Sequence, residues 1–233
     1  MQIFYEPEIV ENGGYLDPVE SNHCVKVLRK REGDVIHIIN GQGQLFEAEI
    51  TDANARRCQV RILTETKEDP PAYVCHIAFA PTKNIDRTEW FVEKSTEIGI
   101  GIISPIFSMN SERRNLKNDR LDKIITSAVK QSGALWRPVL NELADFKTFI
   151  KQSFTGDKFI AHCHEDGDKP HLQDVVSRAK DTLVLIGPEG DFGPDEVKMA
   201  RDLGFRSVSL GSARLRTETA ALVACHIINL KNA

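Results

Sequence analysis

Two adjacent prolines divide this chain. Pro70 and Pro71 follow Glu68 and Asp69. A proline fixes its own φ, lacks the amide proton that a helix or sheet ladder uses, and pushes the preceding residue out of the α region. A short stiff connector is therefore predicted at 68–71, and the hydrophobic rhythm changes across it. Before it, VIHIIN (35–40), LFEAEI (45–50) and CQVRIL (58–63) are short, β-rich, partly alternating runs. The Asn40-Gly41-Gln42-Gly43 stretch between the first two favours a hairpin. One helix is predicted from about Pro18 to Lys30, with Val19, Val25 and Leu28 as its apolar positions. Together these elements predict a small β-barrel over residues 1–70.

After the prolines, strands alternate with helices, the pattern of an α/β domain with a mostly parallel sheet, here over 73–233. The predicted strands are VCHIAFA (74–80), IISPIF (102–107), FIAHC (159–163), TLVLIG (182–187) and SVSLG (207–211). Helices are predicted at 87–98, 121–132, 194–203 and 217–230. Trp90, Phe91, Lys94 and Ile98 carry helical spacing in the first of these. Ala220, Ala221, Ala224, Ile227 and Ile228 carry it in the last.

With 233 residues, 41% hydrophobic and 27% charged, the chain can bury a real core and is not a low-complexity protein. No run approaches the roughly 20 apolar residues of a membrane span, and the N-terminus lacks a basic stretch followed by an apolar one, so a cytoplasmic protein without membrane contact is expected. Five scattered cysteines without a C-x-x-C predict reduced, mostly buried thiols and no metal. In His162-Cys163-His164, alternation places the two histidines on one face of an extended segment and the cysteine on the other. The net charge of −4 argues against a protein that coats nucleic acid indiscriminately, but not against specific RNA binding. Local basic clusters occur at Lys26, Arg29, Lys30 and Arg31, at Arg56, Arg57 and Arg61, and at Arg113, Arg114, Lys117 and Arg120.

In open parallel sheets ligands bind beyond the carboxyl ends of the strands. Two of those loops are unusual. TLVLIG runs into Pro188-Glu189-Gly190-Asp191-Phe192-Gly193-Pro194, where glycines permit close backbone approach and a proline can start the next helix. SVSLG runs into Ser212-Ala213-Arg214-Leu215-Arg216-Thr217-Glu218-Thr219-Ala220, more polar than a turn requires. Neither G-x-G-x-x-G, G-x-x-x-x-G-K-[ST] nor G-x-S-x-G occurs, so dinucleotide, phosphate-loop and hydrolase readings fall away.

IGPEGDF (186–192) and LGSARLRTETA (210–220) resemble the second and third signature loops of the SPOUT methyltransferases, specifically the ribosomal RNA small subunit methyltransferase E family. HCVKVLRKREGD (23–34), PTKNIDRTEWFVEKSTEIGI (81–100), SERR (111–114), AVKQSGALWRP (128–138) and ETAAL (218–222) also match, so the resemblance spans nearly the whole chain. It implies a PUA-like RNA-binding barrel, a C-terminal α/β domain threaded as a trefoil knot, and a homodimer. It further implies S-adenosyl-L-methionine as cofactor, held at His162, Ile186, Gly187, Pro188, Glu189, Gly190, Leu210, Gly211, Leu215 and Thr217. The reaction it implies is methylation of N3 of a uridine in 16S rRNA or the small ribosomal subunit. The family pattern usually reads G-P-E-G-G; here the last position is Asp191. Aspartate enters positive-φ conformations more readily than most side chains, so the turn is expected to survive.

Methylating uracil N3 requires removing a proton from an imide nitrogen, and a cation near the carbonyls stabilises the developing anion. Arg216 with Glu218 is the first candidate for that region and Arg113, donated in trans, the second; pairing between Arg216 and Glu218 at a helix cap is the structural alternative. For RNA capture Arg29, Lys30, Lys83 and Lys94 are the candidates, with Lys94 alternatively paired to Glu93 or Glu97. Two other functions compete: a SPOUT methyltransferase acting on another rRNA or tRNA nucleotide, and a non-catalytic RNA-binding factor.

Overall fold

The computed structural model describes residues 2–164 and 167–233. The chain forms two compact units, residues 1–70 with 126–137, and residues 71–125 with 138–233.

In the first unit, β1 (Ile3–Tyr5) runs parallel to β2 (Val35–Ile39), and β2, β3 (Gln44–Asp52) and β4 (Gln59–Lys67) follow as antiparallel neighbours. Phe46, Ala48 and Ile50 alternate inward along β3 and pack with Phe4, Ile9, Ile36 and Ile38. The β2–β3 hairpin turns through Gly41 (φ 74°) and Gly43 (φ 87°). The segment 126–137 joins this unit because Gly43 N–H donates to the Leu135 carbonyl and Arg137 N–H to that of Gly41. Sequence periodicity identified a helix there but could not name the surface it covers.

The predicted helix at 18–30 is shorter. Asp17 caps α1 (Pro18–Asn22) by accepting from the amides of Val19 and Glu20, and a π-helical turn continues through His23–Val27. It stops there because Arg29 is left-handed (φ 57°) and Lys30 N–H reaches back to the Cys24 carbonyl.

The second unit holds a parallel sheet ordered β11-β9-β10-β5-β6-β7, with β8 also pairing β6. Its strands are β5 (Cys75–Phe79), β6 (Ile102–Phe107), β7 (Val139–Leu140), β8 (Ala144–Asp145), β9 (Asp157–Ala161), β10 (Thr182–Ile186) and β11 (Arg206–Val208). Between them run α2 (Ile85–Ile98), α3 (Asn118–Ser132), α4 (Phe146–Phe149), α5 (Leu172–Val175), α6 (Pro194–Asp202) and α7 (Thr217–Asn232). Every residue of β5 and β10 is buried, as expected of central strands covered on both faces. Because all pairs are parallel, the carboxyl ends of the strands share one edge. The final helix follows β11 at the sheet margin yet packs against α2, β5 and β10, so the chain after β11 returns across the ends of β9 and β10. Among the described residues no helix is long and apolar enough to cross a membrane.

Candidate active site

Beyond the carboxyl ends of β9, β10 and β11 opens a cavity of about 700 Å³. Three loops wall it: 161–163 with Lys169, 186–189 with Asp191, and 208–217 with Ala220. His162, Ile186, Gly187, Pro188, Glu189, Leu210, Gly211, Leu215 and Thr217 all line this space. Gly190 does not. It packs toward Asn110, whose Nδ2 donates to its carbonyl at 3.2 Å, and a Cβ on it would lie 3.1 Å from Asn110 Cβ.

Each loop is fixed by bonds that periodicity could not reveal. At the end of β10, a Cβ on Gly187 would sit 3.1 Å from both the amide nitrogen and Cδ2 of Phe192, so this position has room for glycine and little more. The Gly187 carbonyl accepts from Thr217 Oγ1 at 3.1 Å, tying the second loop to the start of α7. Asp191 is left-handed (φ 64°), and its amide donates to the Pro188 carbonyl at 2.9 Å, so the turn is made with aspartate where the family pattern has glycine. In the first loop the rings of His162 and His164 lie 5.6 Å apart on one side while Cys163 is exposed, as alternation predicts. His162 is buried and its Nε2 bonds Ser207 Oγ at 2.9 Å; Lys169 Nζ donates to the carbonyls of His162 (2.9 Å) and His164 (2.6 Å). Farther on, Ser209 N–H donates to the Pro170 carbonyl and Leu172 N–H to that of Ser209, joining the first and third loops.

The cations near these loops differ in what they are bonded to. Arg214 and Arg216 line the cavity, and their side chains make no hydrogen bond or ion pair among the described residues. Glu218 does not pair with Arg216. It is buried outside the cavity lining, with Oε1 3.7 Å from Arg87 Nε and Oε2 without a hydrogen-bond partner among the described residues. Arg113 braces its own chain, donating to the carbonyls of Thr82 (2.9 Å) and Lys83 (2.6 Å). The Lys83 amide donates to Glu189 Oε1 at 2.9 Å, while its ammonium pairs with Glu112, which raises the lysine pKa. Lys94 is held between Glu93 (2.7 Å) and Glu97 (2.8 Å), and its pKa too is raised by these carboxylates. Arg29, exposed, and Lys30, half-buried, belong to the first unit. Among the described residues no group of three or more His, Cys, Asp or Glu side chains could hold a metal ion.

Sequence reasoning did not select Lys169, Arg214 or Arg87. Arg214 stood in a loop already singled out, so its signal was available. Lys169 lies in the polar stretch after β9, and only the fold brings it back to the carbonyls it binds.

Comparison with known proteins agrees with this architecture. The RNA methyltransferase domain family matches residues 68–229, and the RNA methyltransferase PUA domain family matches 16–63. The ribosomal RNA small subunit methyltransferase E of Rickettsia conorii is 29% identical over 211 residues, covering 89% of this chain and 86% of that protein. A crystal structure of a probable rRNA-methyltransferase from Porphyromonas gingivalis superposes with a TM-score of 0.92 at 39% identity, covering 100% of this chain and 98% of that one. The ribosomal RNA small subunit methyltransferase E of Neisseria gonorrhoeae, bound to S-adenosyl methionine, superposes with a TM-score of 0.83 at 29% identity, covering 97% and 95%.

Proposed function

The chain belongs to the ribosomal RNA small subunit methyltransferase E family, and from that membership we propose that it transfers a methyl group from S-adenosylmethionine to N3 of a uridine in 16S rRNA. The cavity fits such a donor. Its volume of about 700 Å³ is in the range of small-molecule sites. Ile186, Val208, Leu210 and Leu215 offer apolar wall to a nucleobase. The Cβ direction of Gly211 (φ 133°) meets nothing within 4 Å, so a side chain there would enter open space. Arg214 complements a carboxylate, and Glu189 complements a cationic group.

When bound, S-adenosylmethionine supplies an electrophilic methyl on a sulfonium centre. The chain's own task is to place a uracil nitrogen in line with it and to stabilise the negative charge that appears as the N3 proton leaves. Arg216 is assigned that stabilising role, because it lines the cavity and its side chain is bonded to no other described residue. Glu218 is assigned a positioning role, anchoring the start of α7 through Arg87. Arg113 braces the 82–83 backbone and is given no contribution in trans. Arg29 and Lys30 are proposed to contact RNA phosphates, which supply affinity and register, while the target base must be unstacked to reach the methyl. Lys83, matched by Glu112, and Lys94, matched by Glu93 and Glu97, are assigned to the protein's own surface instead.

We extend the proposal to a trefoil knot, supported by the return of the 209–216 segment across the ends of β9 and β10 before α7 packs on β5 and α2, to a homodimer and to action in the cytoplasm. Light scattering tests the dimer. Of the small residues Ala220, Ala221, Val223 and Ala224 that suit α7 to close packing on a partner, Ala221 and Ala224 are buried within this chain, where α7 packs on α2, β5 and β10; half-buried Ala220, Leu222 and Val223 and exposed Leu230 remain for an interface.

The observation that carries the assignment is the convergence of three loops on one cavity with two unbonded arginines. The test is transfer from labelled S-adenosylmethionine to small subunits taken from cells lacking the protein, followed by mass spectrometric mapping. One 3-methyluridine in 16S rRNA is expected. Label on another rRNA or tRNA nucleotide moves the substrate, and no label leaves a binding factor.

A further inference from the structure

Asp191 stands where glycine would be the unstrained choice. Its φ of 64° lies in the left-handed region, which costs a residue with a Cβ and costs glycine nothing. Both oxygens of its carboxylate are occupied. Oδ1 accepts from the following amide, Phe192 N–H, at 2.8 Å; Oδ2 accepts from Cys163 N–H, in the loop after β9, at 2.7 Å. The second bond joins residues 28 apart in sequence and closes the first wall of the cavity onto the second. His164 Nε2 meets the Phe192 carbonyl at 2.5 Å and Asn110 Nδ2 donates to the Asp191 carbonyl at 3.1 Å, so the turn that carries Asp191 is itself anchored. Bonds from a carboxylate to amides are charge-assisted and stronger than neutral ones.

We propose that Asp191 is a positioning residue for the methyl-donor site, clamping the 162–164 loop to the 187–193 loop so that both walls are in place before the cofactor arrives. This rests on the cavity being the S-adenosylmethionine site. With both oxygens committed to backbone amides, the side chain acts through the loops and not by touching the ligand. A clamp of this kind reduces the ordering that binding would otherwise have to supply, and its loss weakens every ligand that uses both walls.

The test is calorimetric titration of the full-length protein with S-adenosylmethionine and with its neutral product S-adenosylhomocysteine, for wild type, Asp191→Gly and Asp191→Asn. Glycine suits the turn but cannot clamp; asparagine tolerates the same φ and offers one acceptor oxygen in place of two. Asp191→Gly is expected to weaken both ligands by the same factor, roughly tenfold or more, as loss of one such bond implies. Asp191→Asn should fall between it and wild type. Hydrogen exchange of the unliganded proteins should show faster exchange in the peptide containing Cys163 in Asp191→Gly, with the β5 and β10 peptides unchanged. Wild-type affinity in Asp191→Gly overturns the proposal. So does a loss confined to S-adenosylmethionine, which would mean direct contact between the carboxylate and the sulfonium. Failure of the wild type to bind either ligand would instead reject the cofactor site itself.

Discussion

Two regions of the second unit are rich in cations, and they use them differently. Around residues 83–120, Lys83 pairs with Glu112, Lys94 with Glu93 and Glu97, and Arg120 with Glu89, while Arg113 is bonded to two carbonyls. In the loop 209–217, Arg214 and Arg216 have no partner among the described residues, although carboxylates line the same cavity. In sequence the two regions look alike. The difference is that the first group is bonded to the protein's own carboxylates and carbonyls, whereas the second lines the cavity and is left available. Stabilising charge that develops in a transition state needs cations of the second kind, not spent on the resting fold.

The largest effect that would break this comparison is at Arg216. Arg216→Ala should lower the single-turnover rate at saturating RNA and S-adenosylmethionine by roughly 100- to 1000-fold, as loss of one charge-stabilising donor does, with both affinities kept. A wild-type rate would remove Arg216 from the chemistry. Arg113→Ala should act on the fold instead. Loss of its two carbonyl bonds is expected to lower the unfolding midpoint by about 2–6 °C, seen by thermal melting, while the saturated rate falls less than about tenfold. A collapse of rate with an unchanged midpoint would return Arg113 to catalysis. The smallest effect belongs to Lys94. Lys94→Ala should change RNA affinity less than about twofold and leave the slope of affinity against salt unaltered, because a charge already matched releases no counterion. A slope reduced by nearly one unit would show a phosphate contact.

Much of the fold was readable because burial writes itself into long apolar runs. The strands β5, β6 and β10 fall within a residue of their predicted limits, and every residue of β5 and β10 is buried. What escaped was short or conditional on the tertiary fold. Three residues form β1 and two each form β7 and β8, too few for a period to register. Strand β9 ends at Ala161, not Cys163, because the chain there turns to the bonds made by Lys169 and Asp191. In the site, the loops were legible as polar, glycine-bearing segments after strands and by family resemblance. The bonding of each side chain was not, since Gly190 and Glu218 sit within the right motifs yet face away from the cavity.

The cavity beyond β9, β10 and β11 is the proposed binding site of the methyl donor. Calorimetric titration of S-adenosylmethionine, with chelator present, into wild type and Gly187→Val tests this most directly. One site per chain is expected in the wild type. A valine at 187 must displace Phe192, 3.1 Å from the Cβ position, and crowd the loop, so affinity should drop roughly 100-fold. No binding by the wild type, or equal affinity in the two proteins, would contradict it.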